Sequence, residues 1–276
     1  MEEVLLRFFH LGQQIFSQID DQSFVNCRII GRSWKTNIDA EDFAWTKITK
    51  KFPCESGKIC LHIAAMTGQT KKIVKLFDEA KDKNPHDFNG VTPYHLAAKN
   101  GHLEICLMIH QHLETSFDNE INPHDHNKYT PFHYAAARGQ VPICKFLIDR
   151  ESEKNPKCDH DGTPLHLATA NGHYEVCKII IEKIDDKNPK TRDGLTPLHL
   201  AALWGHDKIF NLLLANVQDK NPIDREGQTP MMYYQLSQWS KKECGASQFL
   251  WHPWLKLFKI VFYSTILNHP ANSQYK

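Results

Sequence analysis

The stretch that decides the fold is residues 90–109, GVTPYHLAAKNGHLEICLMI. Thr92 is suited to cap a helix, and Pro93 to occupy its first turn, where the missing proline N–H costs nothing. Gly101 can adopt the left-handed conformation that ends this short helix, and the apolar spacing from His102 to Ile109 predicts a second helix. The stretch therefore predicts two antiparallel helices, whose small alanine side chains allow a close approach.

The same pattern returns along the chain every 33 residues, with one spacing of 38. The markers are the residue before each pair of an apolar residue and a histidine (Met231-Met232 in the last unit), the Asn of each Asn-Pro pair and the helix-ending glycine. In that order they are Cys60, Pro93, Pro131, Pro164, Pro197 and Pro230; Asn84, Asn122, Asn155, Asn188 and Asn221; and Gly68, Gly101, Gly139, Gly172 and Gly205. All three sets place a five-residue insertion between Gly101 and Asn122. Repetition at this period predicts a solenoid, in which each helix pair buries its apolar face against its neighbours.

The repeated segments resemble the signature of the ankyrin repeat. They read TPYHLAA from Thr92, TPFHYAA from Thr130, TPLHLA from Thr163 and TPLHLAA from Thr196. The resemblance covers residues 57–239, with five recognisable units and a degenerate sixth. It implies an all-α ankyrin-repeat solenoid that binds another protein along the concave face formed by the turn tips and the first helices.

The composition argues against several other classes of protein. Lys and Arg number 33 and Asp and Glu 32, so the net charge of +1 gives no single-sign field that would attract nucleic acid or anionic lipid. No two of the eight cysteines are separated by only two residues, and the 13 glycines stand at least ten residues apart. These spacings exclude a zinc ribbon, a redox motif, a dinucleotide fingerprint and a phosphate loop.

We therefore expect no catalytic site, no cofactor and no nucleic-acid or membrane partner. Glu2 and Glu3 stand where a secretory signal would be cationic, which favours an intracellular location, cytoplasmic or nuclear.

Residues 5–50 precede the repeats, and their apolar positions predict two or three short amphipathic helices. This segment resembles the F-box, which docks its host onto the Skp adaptor of cullin-RING ubiquitin ligases. The match includes Ser23, Arg28, Arg32 and Trp45, but Arg7-Phe8 stands where the family has Leu-Pro. The adaptor-binding residues that the resemblance implies are Leu11, Ile15, Phe16, Ile19, Phe24, Cys27 and Trp34. The alternative interpretation is an N-terminal helical cap on the first repeat.

Residues 240–276 contain a second amphipathic pattern. One helical face carries Trp251, Trp254, Leu255, Phe258, Val261 and Phe262, whereas Lys256 and Lys259 lie off it. This pattern predicts a C-terminal helical cap on the last repeat. A helix on a membrane surface, or one that binds a short partner, is the alternative. The apolar run is interrupted by polar residues and does not predict a membrane span.

The chain has 17 histidines, which at first suggests a metal site. Five of them recur at one place in each unit, where the resemblance implies a hydrogen-bonding tie between neighbouring turns: His62, His95, His133, His166 and His199. The pairs His110 with His112 and His124 with His126 could share a metal, but we interpret them as decoration of a loop near the insertion. We therefore expect no metal site.

Residues that vary between units are the candidates for partner binding. At the turn tips they are Phe88, His126, Tyr129, His160, Arg192 and Arg225; before the helix-ending glycines they are Lys99, Arg138, Asn171 and Trp204. Trp204 and Arg138 are the favoured hot spots, because aromatic and Arg side chains dominate interface energetics.

The functional hypothesis is a substrate receptor of a Skp-cullin-F-box ubiquitin ligase, which holds a target protein on its ankyrin face and does no chemistry itself. The alternative is a non-ligase ankyrin scaffold or inhibitor whose terminal helices only cap the stack.

Overall fold

The computed structural model describes residues 56–80, 82–87, 89–115, 122–235 and 237. Regular structure within these residues is helical, without strands, as the sequence predicts. Ten helices are defined there: α1 Ser56–Thr67, α2 Thr70–Glu79, α3 Pro93–Asn100, α4 Leu103–Thr115, α5 Pro131–Ala137, α6 Val141–Arg150, α7 Pro164–Ala170, α8 Tyr174–Lys183, α9 Pro197–Trp204 and α10 Asp207–Asn216. Residues 230–235 are also helical and belong to the degenerate sixth unit. The F-box-like segment and the C-terminal tail lie outside the described residues.

Each unit is an inner helix, a turn and an outer helix, followed by a hairpin-like loop that leads to the next unit. The inner helices α1, α3, α5, α7 and α9 pack side by side, and each also packs against the outer helix of its own unit. Alanines on the inner helices, such as Ala97, Ala135 and Ala168, are fully buried and permit this close packing. The described units therefore share one continuous core.

The inner helices α3, α5, α7 and α9 begin at the Thr-Pro pairs for the predicted reason. In α3, the backbone N–H of Thr92 donates to Nδ1 of His95 at 3.1 Å, and Pro93 fills the first turn. The same helix ends at Gly101, whose φ of 86° is left-handed. The pairing of threonine and histidine recurs in α5, α7 and α9.

The outer helices show where part of the five-residue insertion goes. Each outer helix begins two residues after the helix-ending glycine, and α2, α6, α8 and α10 are 10 residues long, whereas α4 has 13. Three of the extra residues therefore lengthen α4. Residues 116–121 lie outside the described residues.

The cysteines of the outer helices are part of the core. Cys106, Cys144 and Cys177 have no exposed surface, as the sequence predicts for small buried side chains. Burial raises the pKa of the Cys177 thiol to about 12, so the reactive thiolate is strongly disfavoured.

Candidate protein-binding surface

The hairpin tips of successive units are joined by backbone hydrogen bonds. In each junction, a backbone N–H of one tip donates to a carbonyl of the preceding tip at 3.0 Å. The donors and acceptors are His126 to Asn89, Asp159 to Asn127, Arg192 to His160, and Arg225 to Asp193. The residues that donate occupy one equivalent place in each unit, which we call the tip position. The tips therefore form a continuous ribbon along one edge of the stack.

Buried carboxylates hold two of these tips in shape. Oδ1 of Asp125 accepts the backbone N–H groups of Asn127 and Tyr129 at 2.9 Å, and Oδ2 accepts the hydroxyl of Tyr134 at 2.9 Å. Asp224 is used in the same way, with Tyr233 as the hydroxyl donor at 2.8 Å. The charges of these two aspartates are thus directed inward and are not presented to a partner.

The five recurrent histidines tie each inner helix to the next hairpin. Nε2–H donates to a backbone carbonyl of the next unit at 2.9–3.3 Å, in the pairs His62 to Val91, His95 to Tyr129, His133 to Gly162, His166 to Leu195 and His199 to Gln228. In His166, Nδ1 accepts the backbone N–H of Thr163 at 3.2 Å, which requires the neutral ring. Burial lowers the pKa of His166 to about 4. The prediction that these residues are structural ties is confirmed.

A second set of ties connects neighbouring units at the opposite end of the inner helices. The residue after the glycine donates to a carbonyl of the preceding unit at 3.1–3.2 Å, in the pairs His102 to Met66, Gln140 to Lys99, His173 to Ala137 and His206 to Ala170. The ring of His206 lies so close to Gly172 that a Cβ there would sit 2.8 Å from its Cε1. Each of Gly68, Gly139 and Gly172 therefore makes room for the histidine that follows the glycine of the next unit. The sequence shows these histidines in register, but it does not reveal this role.

Between these two sets of ties, the residue directly before the helix-ending glycine is presented at the surface. We call this place the helix-end position. Arg138, Asn171 and Trp204 occupy it and are half-buried or exposed, as predicted for partner-binding candidates. Lys99 lies one residue earlier, and the equivalent residue in its unit is Asn100, which is exposed. Asn100 is not among the candidates predicted from the sequence, although it is the residue directly before Gly101 and therefore occupies the helix-end position.

Arg138 and Asn171 differ in how their side chains are used. Nδ2 of Asn171 donates to the carbonyl of Leu167 at 2.8 Å, so part of this amide serves its own helix. Burial lowers the pKa of the Arg138 guanidinium from its ordinary value, because removing water disfavours the charged form. A partner carboxylate would add favourable contacts to this charge.

At the tip position, His126, Arg192 and Arg225 are exposed as predicted, whereas Phe88 lies outside the described residues. His160 is partly exposed but lies one residue after the tip position of its unit. The equivalent residue is Asp159, which the sequence analysis missed and which stands 33 residues before Arg192. Nζ of Lys128 lies 3.0 Å from Oδ1 of this aspartate.

The structure removes Tyr129 from the candidate surface. Its side chain is 1 % exposed, and its position is equivalent to Val91 and Leu195, which are also buried. In this hairpin His126, Asn127 and Lys128 are exposed, whereas the residue that follows the left-handed Lys128 is directed into the core. A partner on the outer edge cannot contact it.

The paired histidines of the long unit are also placed differently from the prediction. His110 and His112 lie on α4 instead of in a loop, and His110 is only 2 % exposed. Nδ1 of His110 lies 3.2 Å from the hydroxyl of Tyr94, and Nε2 lies 3.3 Å from Oε1 of Glu114. In the part of the chain that the structure describes, no group of three or more His, Cys, Asp or Glu side chains could hold a metal ion.

We call the tip and helix-end positions together the candidate surface. Its backbone is fixed by the two sets of side-chain ties and the ribbon of tips, while its side chains change from unit to unit. None of the described helices is long and apolar enough to cross a membrane.

Comparison with known families gives the same period and extent. A family model described as "Ankyrin repeats (3 copies)" matches residues 43–120, 108–191 and 183–235, which is well over half of the chain. No F-box family matches the chain. A search of curated proteins found no match. The chain belongs to the ankyrin repeat family, whose repeats are modules for protein–protein interaction and are typically not catalytic.

Proposed function

We propose that this protein is an adaptor that holds a target protein along the candidate surface. The observation that carries the proposal is the row formed by Arg138, Asn171 and Trp204, which occupy the helix-end position of three successive units. Successive units are about 10 Å apart, as expected for packed helices. The row is therefore long enough to contact an extended segment or a helix of a partner.

The fixed backbone favours binding, because little conformational freedom is lost when a partner docks on a scaffold that is already ordered. Trp204 provides a large apolar contact, and Arg138 provides a charge that can form paired hydrogen bonds with a carboxylate. Arg192 and Arg225 add exposed cations at the tips, while the carboxylates of Asp125 and Asp224 are directed inward. Exposed carboxylates of Asp193 and Glu226 stand next to these arginines, so the tips support a partner whose charges of both signs match them locally.

The experiment compares two pairs of substitutions in the full-length chain. Arg138→Ala with Trp204→Ala removes the two favoured hot spots of the candidate surface, which flank Asn171 in the row. Lys145→Ala with Lys178→Ala is the matched control, because both lysines are exposed at one equivalent position of the outer helices α6 and α8. Proteins crosslinked to each chain in cell extract are then quantified.

We expect at least a tenfold loss of the main crosslinked partner for the first pair and no loss for the control. Equal retention by the first pair, or loss only in the control, would contradict binding along the candidate surface.

We also propose that residues 5–50 attach the protein to the Skp adaptor and the cullin of a ubiquitin ligase, so that the bound target is ubiquitinated. The support is the set of residues that resemble the F-box, above all Ile15, Phe16 and Trp34. In this arrangement the ankyrin protein contributes proximity, because tethering raises the effective concentration of the target near the conjugating enzyme.

Co-purification with a recombinant Skp adaptor tests the ligase proposal. Ile15→Asp with Phe16→Asp should abolish retention, whereas Lys50→Asp, outside the matched residues, should leave it unchanged. Absence of adaptor binding by the unmodified chain would refute the ligase role and leave the target-binding role intact.

The second candidate function is an ankyrin scaffold or inhibitor without a ligase. It is favoured by the family match beginning at residue 43, inside the F-box-like segment. On this alternative, deletion of residues 1–50 would lower the melting temperature and leave ubiquitination of the bound target unchanged.

A further inference from the structure

The last described unit exposes positions that every preceding unit buries. Met231 is 48 % exposed, whereas the equivalent Leu165 and Leu198 are both fully buried. Met232 is 46 % exposed, whereas the equivalent His199 is fully buried. In the earlier units the next helix pair covers these positions. The end of the stack therefore presents an apolar surface shaped to receive one more helical element.

The surface is unusual for this molecule. Only five large apolar side chains in the described residues are exposed, and three belong to this last unit: Ile223, Met231 and Met232. Behind them, the ring of Tyr234 is stacked on Phe210 with centroids 5.2 Å apart, which fixes the helical residues 230–235 on the preceding unit. We call the surface formed by Met231 and Met232 the open end.

The chain itself supplies an element that fits the open end. Residues 238–276 follow directly, and Trp254, Leu255, Phe258 and Phe262 repeat at the spacing of one helical face. Pro253 is suited to the first turn of such a helix. The 15 residues from 238 to 252 are long enough to reach the open end, because even the 1.5 Å rise per residue of a helix would span about 20 Å, twice the width of a helix.

We propose that this segment, residues 253–262, docks its apolar face on the open end and closes the stack. A tethered segment has a large advantage over any free partner, because the linker keeps it at a high effective concentration beside the surface. Solenoids need a terminal element whose apolar face covers the last unit, and Lys256 and Lys259 lie off the apolar face of this segment. A covered open end also directs target proteins to the candidate surface instead of the apolar terminus.

Hydrogen exchange on the full-length chain tests this docking. The backbone N–H groups of Met232 and Tyr233 both donate to the carbonyl of Thr229, at 3.0 and 3.3 Å, and they report on the stability of the open end. Phe258→Asp places a charge on the apolar face. Lys259→Asp is the matched control, since it introduces the same residue next in sequence but off that face.

We expect Phe258→Asp to speed exchange of these two amides at least tenfold, with no change for amides in α7, and Lys259→Asp to have no effect. Trp254→Ala should also speed exchange of these two amides. Because this variant introduces no carboxylate, it separates loss of docking from a general disturbance by the added charge. Unchanged exchange in both apolar-face variants would overturn the proposal.

Two other occupants give distinct results, and each overturns the proposal. If a second copy of the chain covered the open end, protection of these amides would rise with protein concentration and sedimentation would show a dimer. If the segment bound a membrane, the amides would be unprotected in buffer, and vesicles of anionic lipid would retain the unmodified chain but not the Phe258→Asp variant.

Discussion

Replacing Glu151 is predicted to stabilise the protein, although its side chain is buried. The residue is 7 % exposed and follows α6 at a position that is apolar in other units, where Leu113, Ile184 and Val217 stand. Within the described residues, its Oε2 atom has no hydrogen-bond partner. Burial raises the pKa of this carboxyl to about 8, because the charged form is poorly solvated.

The raised pKa sets the size and the pH range of the effect. Below the ordinary carboxyl pKa near 4.5 the group is neutral in both the folded and the unfolded chain and costs little. As the pH rises toward 8, the unfolded chain loses its proton first, so the free energy of unfolding falls. At pH 7 the loss amounts to about 3 kcal/mol, and at pH 5 to less than about 1 kcal/mol.

Urea denaturation of Glu151→Gln and Glu151→Leu at pH 7 and pH 5 measures this effect. Gln removes only the charge, and we expect it to raise the free energy of unfolding by up to about 3 kcal/mol at pH 7 and by about 2 kcal/mol less at pH 5. Leu adds apolar burial, so its gain should exceed that of Gln at both pH values. A Gln variant that is less stable at pH 7, or whose effect is the same at both pH values, would refute this reasoning.

Three further predictions concern the core and the hairpins. The pKa of His166 is lowered to about 4, so its contribution to stability is present above pH 6.5 and is lost as the pH falls toward 4. The native chain should therefore lose unfolding free energy between pH 7 and pH 5. In urea titrations His166→Gln should make this loss about 2 kcal/mol smaller. Lys128→Gly should raise the stability of the protein by about 1 kcal/mol in thermal unfolding, because Lys128 has a left-handed φ of 61°. Asp161→Gly, at a φ of 57°, should raise it by less, because Asp tolerates this region better than Lys. Native Cys177, with a pKa of about 12, should react with iodoacetamide at pH 8 about a thousandfold more slowly than in urea, and fast labelling in the native state would contradict its burial.

The repeat architecture could be predicted from sequence because it depends on residues with strong local structural preferences. Thr92, Pro93 and Gly101 each have one preferred place in a helix–turn–helix unit, and the period of 33 residues repeats that information several times. The role of His95 follows from the family resemblance, and the structure supplies its partner, the carbonyl of Tyr129. The assignment of a residue in one unit can therefore be checked against the equivalent residue in the next unit.

The errors at the candidate surface have a physical cause. Lys128 is exposed and the next residue, Tyr129, is buried, so a shift of one residue at this point of the hairpin changes a side chain from exposed to buried. The places of Tyr129 and His160 relative to the tip are clear only when each tip is aligned with its neighbours. Aligned on Arg192, the tip position of that unit is Asp159, one residue before His160. The helical placement of His110 follows from comparison with the other outer helices, because ten residues counted from Leu103 end at His112. The sequence does not show that the insertion lengthens α4 by three residues more.

The third unit departs most from the local rules. Lys128 occupies a left-handed position, Oδ1 of Asn122 finds no partner in the described part of the chain, and Glu151 is buried with an unpaired oxygen. By contrast, Asn84 and Asn188 each accept a backbone N–H of the following inner helix, at 3.0 and 3.3 Å. The unfavourable contributions of Lys128, Asn122 and Glu151 to stability remain local, because each unit of a solenoid contacts only its neighbours. The same unit contributes His126 and Arg138 to the candidate surface, and the carboxylate of Asp125 holds its tip in shape in spite of these unfavourable features.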